Sequence, residues 1–375
     1  MTRHWTINGR FLSQPLTGVQ RYAYEVVREL DRLVATRNPL AQGLEIEIVA
    51  PPDAVDSMAL SAIGSRVVGR AGGHLWEQTV LPSALRGGLI SLCNTGPLSV
   101  RKQIVCIHDA NTRNYPESYS RAFRSLYRML MPAIGSAARQ VATVSHFSAG
   151  ELARFGIAKP RKIFVATNGH EHAARWEPRH SAATRSAAGP RTIVLIGSNA
   201  PHKNTGLVVG MADRLAAAGL KVAVVGMSDQ KVFKATRPLP QADNVAWLGR
   251  LSDDELAALL GESLCLAFPS YVEGFGLPPL EAMTRGCPVV ASDRACMPEI
   301  CGEGALYADP DDPEAWIGHF VGLAETPSLR AELAERGLAR SQLFSWRATA
   351  ERYLKAMAEA DGLAEAAPPL AIAAE

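Results

Sequence analysis

The 375-residue chain contains no run of about 18 apolar residues, so nothing in it reads as a membrane span. Its opening, Met1-Thr2-Arg3-His4-Trp5, lacks the apolar stretch of a signal peptide. The six cysteines (Cys93, Cys106, Cys265, Cys287, Cys296, Cys301) form no C-x-x-C pair, and several lie inside apolar strand patterns. That excludes a disulfide framework and a cysteine-held metal, and fits reduced core residues of a cytoplasmic protein. No G-x-G-x-x-G follows a strand, and Gly274-Phe275-Gly276 lacks the third glycine. A nicotinamide-dependent dehydrogenase is thereby disfavoured. Charge is also modest: 20% of residues are charged and the net is +2, so no nucleic-acid partner is expected.

The small net charge hides an asymmetry. Residues 1–185 hold 23 Lys/Arg against 13 Asp/Glu, a balance of +10, while residues 186–375 carry −8. A basic first half points to an anionic partner, either a membrane surface or an acidic acceptor, or to a merely solvated surface. The helix expected over 118–140 concentrates that charge. Arg121, Arg124 and Arg128 recur at three- and four-residue spacing beside Phe123, Leu126, Tyr127, Leu130 and Met131. It reads as an interfacial membrane helix or as an ordinary amphipathic one.

The length suffices for two α/β domains, each with its own core. Strand-like runs at 4–9, 45–50, 103–108, 140–144 and 163–167 alternate with helical periodicity, the pattern of an open parallel sheet. Residues 10–16 read as a loop. The small, polar stretch 181–190, closed by Gly189-Pro190, reads as a linker. A second βαβ series then runs through strands at 192–197, 221–226, 245–248 and 264–268. The expected division is a first domain over 1–185, a second over 190–345, a final helix over 346–362 and a disordered tail over 363–375.

The most informative stretch is 269–286, PSYVEGFGLPPLEAMTRG. A buried strand precedes it. Pro278 and Pro279 suit the first turn of a helix, Gly286 suits its C′ position, and Pro288 forbids continuation. Glu273 then falls in the loop and Glu281 in the opening turn, with Gly274 and Gly276 leaving the backbone N–H groups accessible. A helix N-terminus favours phosphate, and carboxylates accept hydrogen bonds from sugar hydroxyls. The stretch therefore suits a phosphorylated, hydroxyl-rich ligand. Glu281 taken alone could simply complement the helix dipole.

Other candidates are weaker singly. Gly18 opens the helix after Thr17, as a phosphate contact or a plain cap. His108 and Asp109 end a strand, where ligands of such sheets bind, although a structural histidine is equally at home there. Lys203, between a strand and a helix, can offer an ammonium to a diphosphate or stand as a surface lysine. Arg250 is a base neighbour or a solvated cation. Ser148 with Glu151, and Ser252 with Glu255, have capping-box spacing. Asp309-Pro310-Asp311 matches a D-x-D metal pattern by letters, but the prolines and acids beside it simply start a helix.

The run Glu273 to Glu281 resembles the E-x7-E signature of retaining, nucleotide-sugar-dependent glycosyltransferases of group 1 (family 4). Residues 8–22, NGRFLSQPLTGVQRY, are similar to the opening of bacterial polysaccharide-synthesis members. The resemblance implies the GT-B fold: two Rossmann-like doubly wound domains facing across a cleft, with a C-terminal helix crossing back. It implies a hexosyltransferase, best matched to GDP-mannose with UDP-glucose as runner-up. The acceptor would be a saccharide or a polyprenyl-linked one in envelope or exopolysaccharide synthesis. It assigns Lys203 and Gly18 to the diphosphate, and Glu273 to sugar hydroxyls. Glu281 goes to the ribose, Arg250 to the base, and Gly274, Phe275, Gly276 and Leu277 to the donor loop. His108 and Asp109 would shape the sugar and acceptor subsites. No metal or other cofactor is implied. The family's usual arginine after the strand is replaced by Ser198 or Asn199. A non-hydrolysing sugar-nucleotide epimerase, which shares the architecture, and a non-catalytic scaffold are the alternatives.

Overall fold

The computed structural model describes residues 2–54, 58–197, 200–226 and 242–363. Ser198 and Asn199, where the family's usual arginine is replaced, and the expected tail beyond residue 363 lie outside the described residues. The chain divides into two units. One comprises Met1–Ala110, Leu126–Asn168 and Ser345–Glu375, the other Asn111–Ser125 and Gly169–Phe344.

The first unit holds a seven-stranded parallel sheet in the order β3-β2-β1-β4-β5-β6-β7. Its strands are β1 (Arg3–Asn8), β2 (Leu44–Ala50), β3 (Gly64–Val67), β4 (Gly88–Ser91), β5 (Gln103–Cys106), β6 (Gln140–Thr143) and β7 (Ile163–Val165). The chain moves outward from β1 to β3, then returns to place β4 against β1. That reversal opens a crevice at the carboxyl ends of β1 and β4, the position where ligands of open parallel sheets bind. β4 and β5 are buried along their whole length, as strands covered by helices on both faces must be.

Two helices close one face of this sheet. Gly18–Ala35 buries Tyr22, Val26, Val27 and Leu30, and Trp346–Ala360 buries Tyr353 and Leu354. Tyr22 and Tyr353 meet through their hydroxyls at 3.0 Å, and the Tyr22 hydroxyl also donates to the Ala166 carbonyl at 3.0 Å. Asp361 ends the second helix within a cationic grip. It accepts from Arg3 at 2.6 Å, from Lys102 at 2.6 Å and from the Trp5 indole at 3.0 Å. The final helix, expected over 346–362, therefore belongs to the first unit and is tied to the start of β1.

The second unit repeats the plan with β10-β9-β8-β11-β12-β13. These are β8 (Thr192–Ile196), β9 (Lys221–Val225), β10 (Val245–Gly249), β11 (Cys265–Phe268), β12 (Val289–Ser292) and β13 (Ala305–Ala308). The order reverses between β8 and β11, which sets a second crevice there.

Several local expectations change. Residue 9 of the expected strand and residues 10–13 of the expected loop form a 3-10 helix, Gly9–Ser13, started by the Asn8 side chain accepting from the Arg10 N–H. The stretch 181–190 is not a free linker. Ser181 and Thr184 make a reciprocal capping box that starts the helix Ala182–Ala187, with Thr184 buried. Residues 169–185, assigned from sequence to the first domain, group with the second unit, as do 111–125. The capping box at Ser252 and Glu255 is present, whereas the helix at 146–154 is capped by Ser145 rather than Ser148.

Candidate functional site

The helix Leu277–Thr284 begins where its prolines place it, with Gly276 as N-cap at φ 90°. At that left-handed angle a Cβ is strained, and it would also meet Met297 Cε at 2.4 Å. No side chain caps the helix, whose first turn directly follows the loop that carries Glu273. The opposite end closes as expected, with Gly286 at φ 67°. A Gly276→Ala variant should lose about 1–2 kcal/mol through the left-handed angle alone. The urea midpoint should fall at unchanged m, and a midpoint equal to the native one would contradict this.

Glu273, after β11, and Lys203, after β8, meet across the second crevice. Lys203 Nζ donates to Glu273 Oε1 at 2.6 Å, with the two side chains only 24% and 11% exposed. The ammonium also sits 5.6 Å from the Phe268 ring centroid. A cation and a carboxylate are thus fixed side by side at the switch point, beside an uncapped helix N-terminus.

Glu281 is buried one turn further on, and its Oε1 lies 2.9 Å from His172 Nε2. His172 comes from the helix Glu171–Ala174, and its ring packs edge-on against Trp176. Sequence reasoning missed it: nothing local marks a histidine 109 positions from its partner. His202 was missed as well. It precedes Lys203 and is buried, with its backbone N–H donating to Ser118 Oγ at 3.0 Å and its Nδ1 at 2.9 Å from the same oxygen. Burial first, and then the Lys203 charge, push His202 down to about 4. Tyr271 hydrogen-bonds Asp311 at 2.5 Å and stacks on Tyr115, with centroids 5.5 Å apart.

The remaining donor-loop residues divide by exposure. Gly274 and Phe275 are buried, and Phe275 packs edge-on against Phe344, so its ring is a core element while its backbone faces the loop. Leu277 is half-buried and Arg250 exposed. Asp309 accepts from Arg294 at 2.7 Å and Asp311 from the Tyr271 hydroxyl, so the D-x-D letters belong to an ion pair and a tyrosine contact, while the neighbouring Asp312 caps the helix Pro313–Glu325.

In the first unit, Gly18 is exposed at the start of its helix, and Thr17 makes no side-chain cap. His108 is buried at the end of β5. Its backbone N–H donates to Asn94 Oδ1 at 2.8 Å, its Nε2 donates to the Leu92 carbonyl at 2.8 Å, and its ring packs edge-on against Tyr22. Burial pushes it down to about 4, against the opposing effect of the Leu92 bond. Asp109 is half-buried beside it.

Two buried neutral histidines make stability depend on pH. Below about 6.5 the unfolded chain binds protons that folded His108 and His202 refuse until about 4. Stability is therefore complete above about 6.5 and falls as pH drops toward 4. Urea midpoints should decline between pH 7 and pH 5, and His108→Gln should flatten the decline. A midpoint constant over that range would contradict this.

Residues 177–340 match the sequence family "Glycosyl transferases group 1". O-antigen chain mannosyltransferase B of Escherichia coli is 28% identical over 264 residues, covering 67% of this chain and 68% of that protein. O-antigen chain mannosyltransferase RfbU of Salmonella typhimurium is 27% identical over 236 residues, covering 62% and 64%. The alignments thus span about two-thirds of these relatives' own length. Sucrose-phosphate synthase from Thermosynechococcus elongatus superposes with a TM-score of 0.68 at 18% identity, over 97% of this chain and 100% of that one.

Proposed function

We propose that this chain, which matches the group 1 glycosyltransferases over residues 177–340 and has the GT-B fold, moves a mannosyl residue from GDP-mannose to a saccharide or polyprenyl-linked acceptor, with retention at the anomeric carbon. The step would belong to envelope or exopolysaccharide synthesis. The observation that carries this reading is the Lys203–Glu273 pair at the crevice between β8 and β11. The mannosyl assignment draws on the names of the two O-antigen relatives.

Breaking the glycosyl–phosphate bond puts negative charge on the leaving diphosphate. In this reading Lys203 and the uncapped N–H groups at Leu277–Thr284 stabilise that charge as it forms. Binding the donor draws Lys203 from Glu273 toward the diphosphate, and Glu273 turns to the sugar hydroxyls. Glu281, with one oxygen engaged by His172, presents the other to the ribose. Arg250 lies against the base. His108 and Asp109 are assigned to the acceptor side, and because His108 stays neutral above about pH 4 it serves there as a hydrogen-bonding group rather than a charge. No metal is required, since fixed cations and N–H groups carry the leaving-group charge. The acceptor attacks on the leaving-group face, and the donor phosphate takes its proton. Incubation with a panel of nucleotide sugars tests the reading. GDP release from GDP-mannose in the presence of an acceptor, with an α-configured product by NMR, is expected. UDP release from UDP-glucose alone would replace the mannosyl assignment, and an isomerised donor without acceptor would indicate an epimerase.

A lipid-linked acceptor would put the enzyme in the cytoplasm, at the inner face of a membrane. No helix among the described residues is long and apolar enough to cross one. The helix Arg121–Ala137 instead exposes Leu126 at 50% and Met129 at 78% beside Arg121 and Arg128. Such a face suits the surface of an anionic bilayer. Sedimentation with vesicles containing phosphatidylglycerol should fall several-fold in an Arg121→Glu/Arg128→Glu variant and in high salt. Equal sedimentation of the variant would remove the membrane assignment.

A further inference from the structure

The crevice of the first unit, between β1 and β4, is filled by a network that none of the assignments above uses. Asn8 ends β1 and Ser91 ends β4, and the Asn8 amide bridges them, donating to Ser91 Oγ at 3.3 Å and to Glu77 Oε1 at 2.7 Å. Glu77 comes from the helix Gly73–Thr79, and its side chain is 1% exposed. Its Oε1 also accepts from Arg10 Nε at 3.1 Å and from the Thr95 hydroxyl at 3.1 Å, while Arg10 donates to Thr95 at 2.6 Å. That oxygen is saturated.

Glu77 Oε2 faces a different partner, His74 Nδ1 at 3.3 Å. Burial alone would push the carboxyl up, but the His74 bond, the Arg10 charge and the Asn8 and Thr95 bonds outweigh it and hold it below its ordinary range. The carboxylate is therefore ionised and can only accept, so the proton on the imidazole sits on Nδ1. In that tautomer the ring lone pair is on Nε2. The imidazole is 45% exposed, in contrast to the buried carboxylate behind it. Other groups share the neighbourhood: the Tyr127 phenol is raised by burial, lowered by Arg10, and raised by Glu77 and Asp109.

A buried carboxylate that locks a solvent-facing imidazole in one tautomer, at a switch-point crevice, is an arrangement for presenting a single hydrogen-bond acceptor to a ligand. We propose that His74 is an acceptor-recognition residue. Its Nε2 accepts a hydrogen bond from a hydroxyl of the acceptor sugar, and Glu77, itself held by Arg10 and Asn8, positions it. This rests on the transferase reading above and adds to it the group that selects the acceptor. The hydroxyl keeps its proton in this contact, so no chemical step is assigned to His74.

The test uses the full chain with the nucleotide sugar that the donor panel identifies and a set of acceptor probes including octyl α-mannoside. His74→Ala should raise the acceptor KM about ten-fold or more, the loss of one hydrogen bond to a bound hydroxyl, while the donor KM stays within two-fold. His74→Gln, whose amide oxygen reaches the position of Nε2, should recover part of the acceptor KM. An acceptor KM within two-fold of native in His74→Ala overturns the proposal. So does a parallel rise in both KM values, which would mark a structural role. A native protein that transfers to none of the probes fails the transferase reading itself, and the role of His74 with it.

Discussion

Replacing Lys203 by alanine should lower kcat/KM for the donor by about 10²–10³-fold, the usual loss when one fixed donor to a developing anion is removed. The structure supplies two reasons. The ammonium is the charged group held at the β8–β11 crevice by Glu273, 2.6 Å away, so it is positioned before any ligand arrives. Its removal also leaves the Glu273 carboxylate, 11% exposed, facing the diphosphate uncompensated. Repulsion therefore adds to lost attraction. Lys203→Arg should retain part of the rate, since the charge survives while its geometry changes. Circular dichroism and the urea midpoint should remain near native, because the pair is at the rim of the sheet rather than in its core. Steady-state kinetics with the preferred nucleotide sugar decide the matter. A near-native kcat/KM in the alanine variant would remove Lys203 from the site.

The second large effect is on stability. Glu77→Ala strands the Arg10 guanidinium, 9% exposed, among Asn8 and Thr95 with no carboxylate to neutralise it. Breaking one side of a buried ion pair costs about 3–5 kcal/mol, far more than the pair contributes over an apolar substitute. The urea midpoint should drop accordingly. The double variant Arg10→Met/Glu77→Leu should recover most of the loss, because it buries no unpaired charge. If the double variant were as unstable as the sum of the two single ones, the residues would be acting independently and the network would not be one unit. This bears on His74 as well, since its orientation derives from Glu77.

Where the signal is local, the sequence carries the structure. Pro278, Pro279 and Gly286 mark both ends of the helix Leu277–Thr284 through fixed φ, a missing N–H and a left-handed turn. Short strands fail that test. β3 reads Gly-Ser-Arg-Val and β4 Gly-Leu-Ile-Ser, too brief to show a period, and pairing with longer neighbours makes them strands. Composition misleads at Ser181, where small residues resemble a linker until the Thr184 hydroxyl completes a cap. The site divides along the same line. Lys203 and Glu273 stand where strand-to-helix loops place them. The His172–Glu281 and Arg10–Glu77 contacts join residues 109 and 67 positions apart that only the folded chain brings together, whereas His74 and Glu77 lie three positions apart on one helix. His108, by its position at the end of β5, promises open chemistry; its Nε2 is instead spent on the Leu92 carbonyl.

Isothermal titration of GDP and UDP onto the native protein and Lys203→Ala addresses the central assignment, a diphosphate held at the β8–β11 crevice. Native protein should bind one of the two, and the alanine variant should bind it at least about ten-fold more weakly, the 1.4 kcal/mol scale of one charge-assisted contact. Native protein that binds neither nucleotide, or a variant that binds with native affinity, would contradict the assignment.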